Sequence, residues 1–392
     1  MAVRANPNLI DELEHYGAHD ASKCYQCGNC SAVCTHSVEP YVFPRKSMHY
    51  LQMGLERPLR SSLDPWLCYY CGECSEQCPR GAEPGETMMG LRRWLIAQYD
   101  FTGISRFLYR SGVNALLAVL LLALLTGLGF LAFGFLAGGG SLAVYDGAAA
   151  FLPAHYVHIF DWTMGITLAL LLGINSVRMW HFTMHGEHEI PVPLSVYLRR
   201  VMLLPVHFFT QKKFKECKNQ RPWALHLMLM LSYTTMLILI MFFLKFMQAG
   251  PQMNWYAHTF GYLASIGLVT TVTLAVSGRL KKDETYHRYS HESDWIFLAL
   301  LLYVSITGIL QHILHRAGLP MAANLTYVAH LMGVVPMLVL EVPFGKWSHL
   351  AYRPLAIYLA RVRKDALAIQ TRTIKTQSAT TLGAPAPASP AV

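Results

Sequence analysis

Residues 24–34, CYQCGNCSAVC, and residues 68–79, CYYCGECSEQCP, decide how this chain is read. Each carries four cysteines at the same intervals: Cys24, Cys27, Cys30 and Cys34 in the first, Cys68, Cys71, Cys74 and Cys78 in the second. Three thiolates on one short turn reach three corners of a [4Fe–4S] cubane, and the fourth ligand comes from elsewhere. Where two cubanes share a chain, it comes from the other run. The predicted ligand sets are Cys24, Cys27, Cys30 with Cys78, and Cys68, Cys71, Cys74 with Cys34. Zinc hooks use paired Cys-x2-Cys and need no third cysteine two residues on. A disulfide framework belongs to an oxidising compartment, whereas the charge pattern described below places this segment in the cytoplasm. Pro79 follows the second run; Thr35 stands at the matching place after the first.

Outward from these runs the head reads as helical. The N-terminus is polar and acidic with no apolar core, so it does not read as a signal peptide. Asn8 to Tyr16 has the pattern of a short amphipathic helix. The 33 residues between the runs hold an apolar-periodic stretch near Met48 to Leu55, where a compact bacterial ferredoxin has strands and turns. A helix over Gly85 to Tyr99 would close the domain. The expectation is an α-helical ferredoxin over residues 1–105.

Beyond the head the composition changes. The chain has 392 residues, of which 53% are hydrophobic and only 14% charged. A soluble protein of this size rarely has so little charge. Six apolar spans, near 113–137, 157–179, 223–247, 257–279, 293–315 and 324–345, are each long enough to cross a hydrocarbon core of about 30 Å. Pro336 and Pro343 in the last are tolerated where neighbouring groups satisfy the freed carbonyls. The predicted class is all-α, with a six-helix transmembrane domain over 106–350 and a C-terminal helix and disordered tail over 351–392.

The net charge of +9 points to membrane orientation rather than to nucleic acid. Arg199, Arg200, Lys212, Lys213, Lys215, Lys218 and Arg221 follow span two. Arg279, Lys281, Lys282 and Arg288 follow span four, and Lys346, Arg353, Arg361, Arg363 and Lys364 follow span six. The opposite loops hold only Arg316. By the positive-inside rule the head and the C-terminus face the cytoplasm of a multi-pass inner-membrane protein. Ser195 to Phe214 reads as a segment lying on the membrane surface. The His181, His185, His188 group reads as solvated and Cys217 as a structural or incidental thiol.

Ionisable groups within spans are costly and call for a role. His226 falls at the inner end of span three, His330 in the outer half of span six and His349 just past its inner end. His155, His158, His258, His312 and His315 lie at the outer level. Two layers of imidazoles on different helices are what axial ligation of haem b needs. Glu341, near the inner level, is a candidate proton-relay or quinone-site carboxylate, or else a structural one paired with Arg279. Asp161 and Lys245 are weaker candidates, since Lys245 can snorkel to the interface.

The strings CYQCGNCSAVC, Pro44-Arg45-Lys46 and WLCYYCGECSEQCPRGAEPGETM resemble the C subunits of quinone-interacting membrane-bound oxidoreductases. That family looks like a fusion of the iron–sulfur and haem b subunits of heterodisulfide reductase. The likeness spans roughly residues 8–365. The body resembles nitrate reductase gamma subunits, five-helix haem b proteins, with the first span as an addition. Their His, Pro-Phe-x-(Arg/Lys), His pattern matches His330, Pro343-Phe344-Gly345-Lys346 and His349, with a separation one residue longer. Their partner helix bears two histidines; here His226 matches one, and Met236 stands at the other.

The resemblance implies an inner haem on His226 and His349, and an outer one on His330 with either His158 or His312. It further implies a membrane subunit of a quinone-linked oxidoreductase. Such a subunit exchanges electrons between menaquinone and the flavoprotein subunits A and B of its complex, and through them adenylylsulfate reductase. Other readings are a heterodisulfide reductase-like membrane subunit and a non-redox membrane anchor with structural zinc.

Overall fold

Seven helices build the head: α1 (Leu9–Glu14), α2 (Asn29–Ala32), α3 (Arg45–Gln52), α4 (Glu56–Arg60), α5 (Asp64–Leu67), α6 (Glu73–Glu76) and α7 (Pro84–Tyr99). The structure, a computed structural model, describes residues 4–145, 150–186, 191–248 and 255–382, with backbone alone in 244–248 and 373–382. Helices make up 74% of it, with no strand among the described residues. Asp11 and Glu12 in the first turn of α1 favour its N-terminus through the helix dipole, and Leu9 and Leu13, one turn apart, bury the other face. They pack with Met48, Leu51, Leu59, Trp66, Leu91 and Trp94 into one core.

Helix α7 ends at Tyr99 as the sequence predicts, and it is buried almost all round. The cause is position: one side closes the head and the other rests on the membrane bundle. After α8 (Ile104–Arg110) come α9 (Gly112–Leu136) and α10 (Ala154–Met184). Three short helices, α11 (Leu194–Arg200), α12 (Leu203–Thr210) and α13 (Lys212–Lys215), occupy the stretch read as a surface segment. Four long helices follow: α14 (Arg221–Gln248), α15 (Trp255–Lys281), α16 (Glu292–Arg316) and α17 (Pro320–Glu341).

The six helices α9, α10, α14, α15, α16 and α17 are long and apolar enough to span a bilayer. They fall on the six predicted spans, so the chain is a multi-pass membrane protein. Only 11% of the apolar windows of α9 and α10 is buried, against 50% for α17. Leu117, Leu121, Leu125 and Leu128 on α9 are more than half exposed. Lipid tails, not protein, cover such faces. Helix α17 is the central strut, packed on α16 and α9, and its interior Pro336 lies on a buried surface.

The last helix, α18 (His349–Leu382), corrects one expectation. Its first turns are part of the head core: Tyr352, Ala356, Leu359 and Val362 are buried with Trp66 and Tyr99. Tyr352 meets Trp66 at 5.3 Å and Tyr99 at 5.5 Å, both edge-on. Composition predicts disorder from about Thr371; the backbone is helical to Leu382, and residues 383–392 of that tail lie outside the described residues. Extending an anchored helix avoids the cost of a new nucleus.

Candidate redox site

The two cysteine loops share one backbone conformation. Gln26 (φ 58°) and Tyr70 (φ 55°) occupy equivalent left-handed positions, followed by Gly28 (φ 87°) and Gly72 (φ 88°). The glycines begin α2 and α6, which pack together. Backbone N–H groups donate to sulfur at matching places: Gln26 to Cys24 Sγ at 3.4 Å and Tyr70 to Cys68 Sγ at 3.3 Å. Ala82 donates to Cys78 Sγ at 3.4 Å. Such bonds favour thiolates and help set cluster potentials. Only glycine fits at position 72, where a Cβ would stand 2.1 Å from Thr285 Oγ1.

Thiols of the two loops lie near enough to act on one another. Burial, then Cys24 and Cys27, with Cys78 also contributing, pushes Cys30 up to about 11. Burial together with Cys68 and Cys71 does the same for Cys34, to about 11. Cys74 is raised by burial and by Cys68, Cys71 and Cys34. Crowded thiols resist ionisation, and a cationic iron core is what relieves that repulsion. Among the described residues, no three His, Cys, Asp or Glu converge on a single metal ion. Cys27 is exposed, whereas Cys30, Cys68 and Cys74 are buried.

Behind Cys68 lies a cavity of about 330 Å³ between head and bundle, within the range of cofactor pockets. Arg92 and Arg353 both donate to the Cys68 carbonyl, Arg353 at 3.1 Å. Arg353 also covers the Tyr69 ring at 4.7 Å. On the far wall stand His226 of α14 and His349 of α18, ring centroids 5.9 Å apart. Two imidazoles on opposite sides of one iron, at metal–nitrogen bonds of about 2 Å, stand about 6 Å apart. His226 Nδ1 meets Gln211 Oε1 at 2.8 Å, and His349 Nδ1 meets the Lys346 carbonyl. Metal-ligating histidines are oriented in this way, with the other nitrogen left for the metal. Arg353 Nε, Arg279 Nε and Tyr69 Oη are buried at this cavity without partners. Such orphaned donors suit the carboxylates of a tetrapyrrole. The two imidazoles and these donors line one cavity.

Residues 23–83 match the family of 4Fe–4S dicluster domains. The head is a 4Fe–4S dicluster domain. Joined to six membrane-spanning helices, it makes this chain a membrane electron-transfer protein. Neither a curated protein nor a solved structure matches it.

The dicluster domain is fastened to the bundle by charge. Asp294 of α16, 4% exposed, pairs with Arg93 of α7 at 3.3 Å, with Arg279 of α15 at 3.7 Å and with Lys346. Arg93 also meets Glu86 at 3.5 Å, and Glu86 accepts from Tyr70 Oη at 2.7 Å. Sequence reading missed Asp294. Its one signal was an acid beside the start of a span, which looks like an ordinary helix-start carboxylate. Arg279 therefore pairs with Asp294 and not with Glu341. Glu341 instead accepts from the Lys346 backbone N–H at 2.6 Å and is not on the cavity wall. It closes the turn whose Lys346 carbonyl orients His349.

Of the two readings of Cys217, its surroundings favour the structural one. It is buried, lies 3.4 Å from His36 Nε2 and packs with Cys71. The neighbouring Cys217 thiol, against burial, lowers Cys71 from the usual thiol range. At the other end of the bundle, the histidines do not gather around His330. His330 Nδ1 lies 3.0 Å from Thr307 Oγ1. His158 Nε2 accepts from Trp162 at 3.1 Å, and His312 packs on His258. No ring contact among the described residues joins His330 to His158 or His312. Asp161 is half-buried on α10 near His158. His181 and His185 stack at 5.2 Å. His188 and the Lys245 side chain lie outside the described residues.

Proposed function

We propose that this chain is the membrane subunit of a quinone-linked oxidoreductase complex, similar to the C subunits of the quinone-interacting membrane-bound oxidoreductases. The observation that carries the reading is the His226–His349 pair, 5.9 Å apart, across one cavity from the Cys68 loop. When bound, two [4Fe–4S] clusters and one haem b supply one-electron carriers in a line from solvent to lipid. The chain's own residues do the positioning. Gln211 and the Lys346 carbonyl hold the imidazoles, Arg92 and Arg353 grip the loop that ends in Cys71, and the Asp294 network keeps domain and bundle in register.

The exposed Cys27 end of the dicluster domain is where the flavoprotein subunits A and B dock, on the cytoplasmic face of the inner membrane. Through them the chain is linked to adenylylsulfate reductase in dissimilatory sulfur metabolism. Menaquinone, reached from the bilayer, is the membrane substrate. With no imidazole brought to His330, the reading has one haem, at the inner level.

Metal analysis and optical spectra test this. The expected result is about eight cluster irons plus one haem iron per chain, no zinc in place of the cluster iron, and a reduced band at roughly 560 nm. His226→Ala and His349→Ala should each abolish that band while leaving the cluster iron in place. Zinc in place of iron, or a haem that survives both substitutions, overturns the proposal.

A further inference from the structure

The end of the bundle away from the dicluster domain holds two imidazoles that the electron path does not use. His258 is in the first turn of α15, and His312 is near the end of α16, which packs antiparallel against it. Their ring centroids are 4.9 Å apart with the planes tilted by 38°. His258 is 6% exposed. His312 Nε2 is buried without a hydrogen-bond partner. Tyr262, one turn on from His258, sets its ring edge-on to His312 at 5.4 Å.

Ring separation distinguishes two kinds of metal site. A metal–nitrogen bond of about 2.0–2.1 Å places an imidazole centroid about 3 Å from the ion. Rings on opposite sides of an ion then lie about 6 Å apart, and rings at a tetrahedral angle about 5 Å apart. His226 and His349, at 5.9 Å, fit the first arrangement. His258 and His312, at 4.9 Å, fit the second.

The geometry points to a divalent-cation site at His258 and His312, taking Zn²⁺ or another ion that favours imidazole nitrogen. A buried polar atom without a partner costs about 1–3 kcal/mol, and ligation removes that cost for His312 Nε2. Two protein ligands leave positions for water or an anion, so the site is open and exchangeable rather than structural. His315 and Arg316 stand close enough to act on both rings. The Arg316 charge weakens cation affinity, which makes occupancy follow the surrounding ion concentration. A bound ion ties α15 to α16 and so stiffens that end of the bundle. This site is independent of haem and of quinone.

The test uses the full chain in detergent, treated with a chelator and dialysed against ZnCl2, with bound zinc measured by atomic emission and stability by thermal melting. Wild type should bind about one more Zn²⁺ than His258→Gln or His312→Gln, whose affinity at this site falls at least tenfold. Zn²⁺ should raise the melting temperature of wild type and not of these variants. His155→Gln, at an exposed histidine on the same end, should behave as wild type. Circular dichroism and iron content identify the folded variants, and His258→Asn replaces any that fails to fold. Equal zinc binding by wild type and folded variants, or no zinc-dependent rise in wild type, overturns the proposal.

Discussion

Replacing Asp294 with Asn takes one negative charge from a buried site that holds three cations. Arg93 is 3.3 Å away and Arg279 3.7 Å, with Lys346 on the other carboxylate oxygen. At an effective dielectric constant of about 20, the first two contacts alone give attractions of roughly 5 and 4.5 kcal/mol before desolvation. Desolvation has already been met in the wild type, so the variant loses the attraction and leaves three cations facing one another. Arg93 retains Glu86 at 3.5 Å, which limits the damage. Removing one member of a buried ion pair costs about 3–5 kcal/mol. If that cost falls on the contact between domain and bundle, about 4 kcal/mol is close to a thousandfold in the docking equilibrium. Two measurements report it: trypsin release of the dicluster domain, and melting followed by cluster absorbance beside helical circular dichroism. Asp294→Asn should release the domain at temperatures where wild type is intact. Lys213→Gln breaks a pair whose side chains are 57% and 43% exposed and should change stability by less than about 1 kcal/mol. If the Asp294→Asn melt overlays wild type, the network does not hold the domain and the reasoning is wrong.

Three further outcomes follow from the same contacts. Glu341→Ala removes the acceptor for the Lys346 N–H and should loosen His349, broadening or weakening the haem band, whereas Glu341→Gln keeps an acceptor and should restore it. A pure proton-relay role predicts instead that the band is unchanged in both. Gly72→Ala forces a side chain into φ 88° and against Thr285; the strain of about 1–3 kcal/mol should lower the iron content of the Cys34, Cys68, Cys71, Cys74 set while the other set stays loaded. Burial, then the Arg93 charge, lowers His291 to about 4, against the pull of Asp294 and Glu292 and its bond to the His15 carbonyl. The folded state therefore prefers neutral His291. The stability this gives is complete above about 6.5, the ordinary histidine value, and is lost as pH falls towards about 4. His291→Gln should flatten the acid limb of a pH–stability profile; an unaltered limb rules His291 out.

Much of the fold was legible because its signals are local. The cysteine spacing is enforced by the size of a cubane, and span lengths by the thickness of a bilayer, so both are written in consecutive residues. The helix boundaries of α7 and of the six spans were readable for that reason. Partner choice among distant residues was not. Glu341 and Arg279 are both charged groups at the same membrane level, and nothing in their order says that Arg279 turns to Asp294. Cys217, 139 residues after Cys78, gives no sign along the chain that it lies against Cys71.

Residue spacing and composition were enough to define an iron–sulfur head, six membrane crossings and a set of imidazoles in two layers, because thiolate geometry and hydrocarbon thickness act over short stretches of chain. The resemblance already named His226 and His349 as a pair, but how they come to face each other, and which ring His312 meets, was decided only by packing. Helix α18 returns to the dicluster domain, driven by burial of Tyr352, Ala356 and Leu359 against Trp66 and Tyr99, and that return sets His349 opposite His226. At the other end the pairing of α15 with α16 joins His258 to His312 and leaves His330 on Thr307. Side-chain depth can be counted from a sequence, but the rotation of one helix against another depends on the fit of whole surfaces.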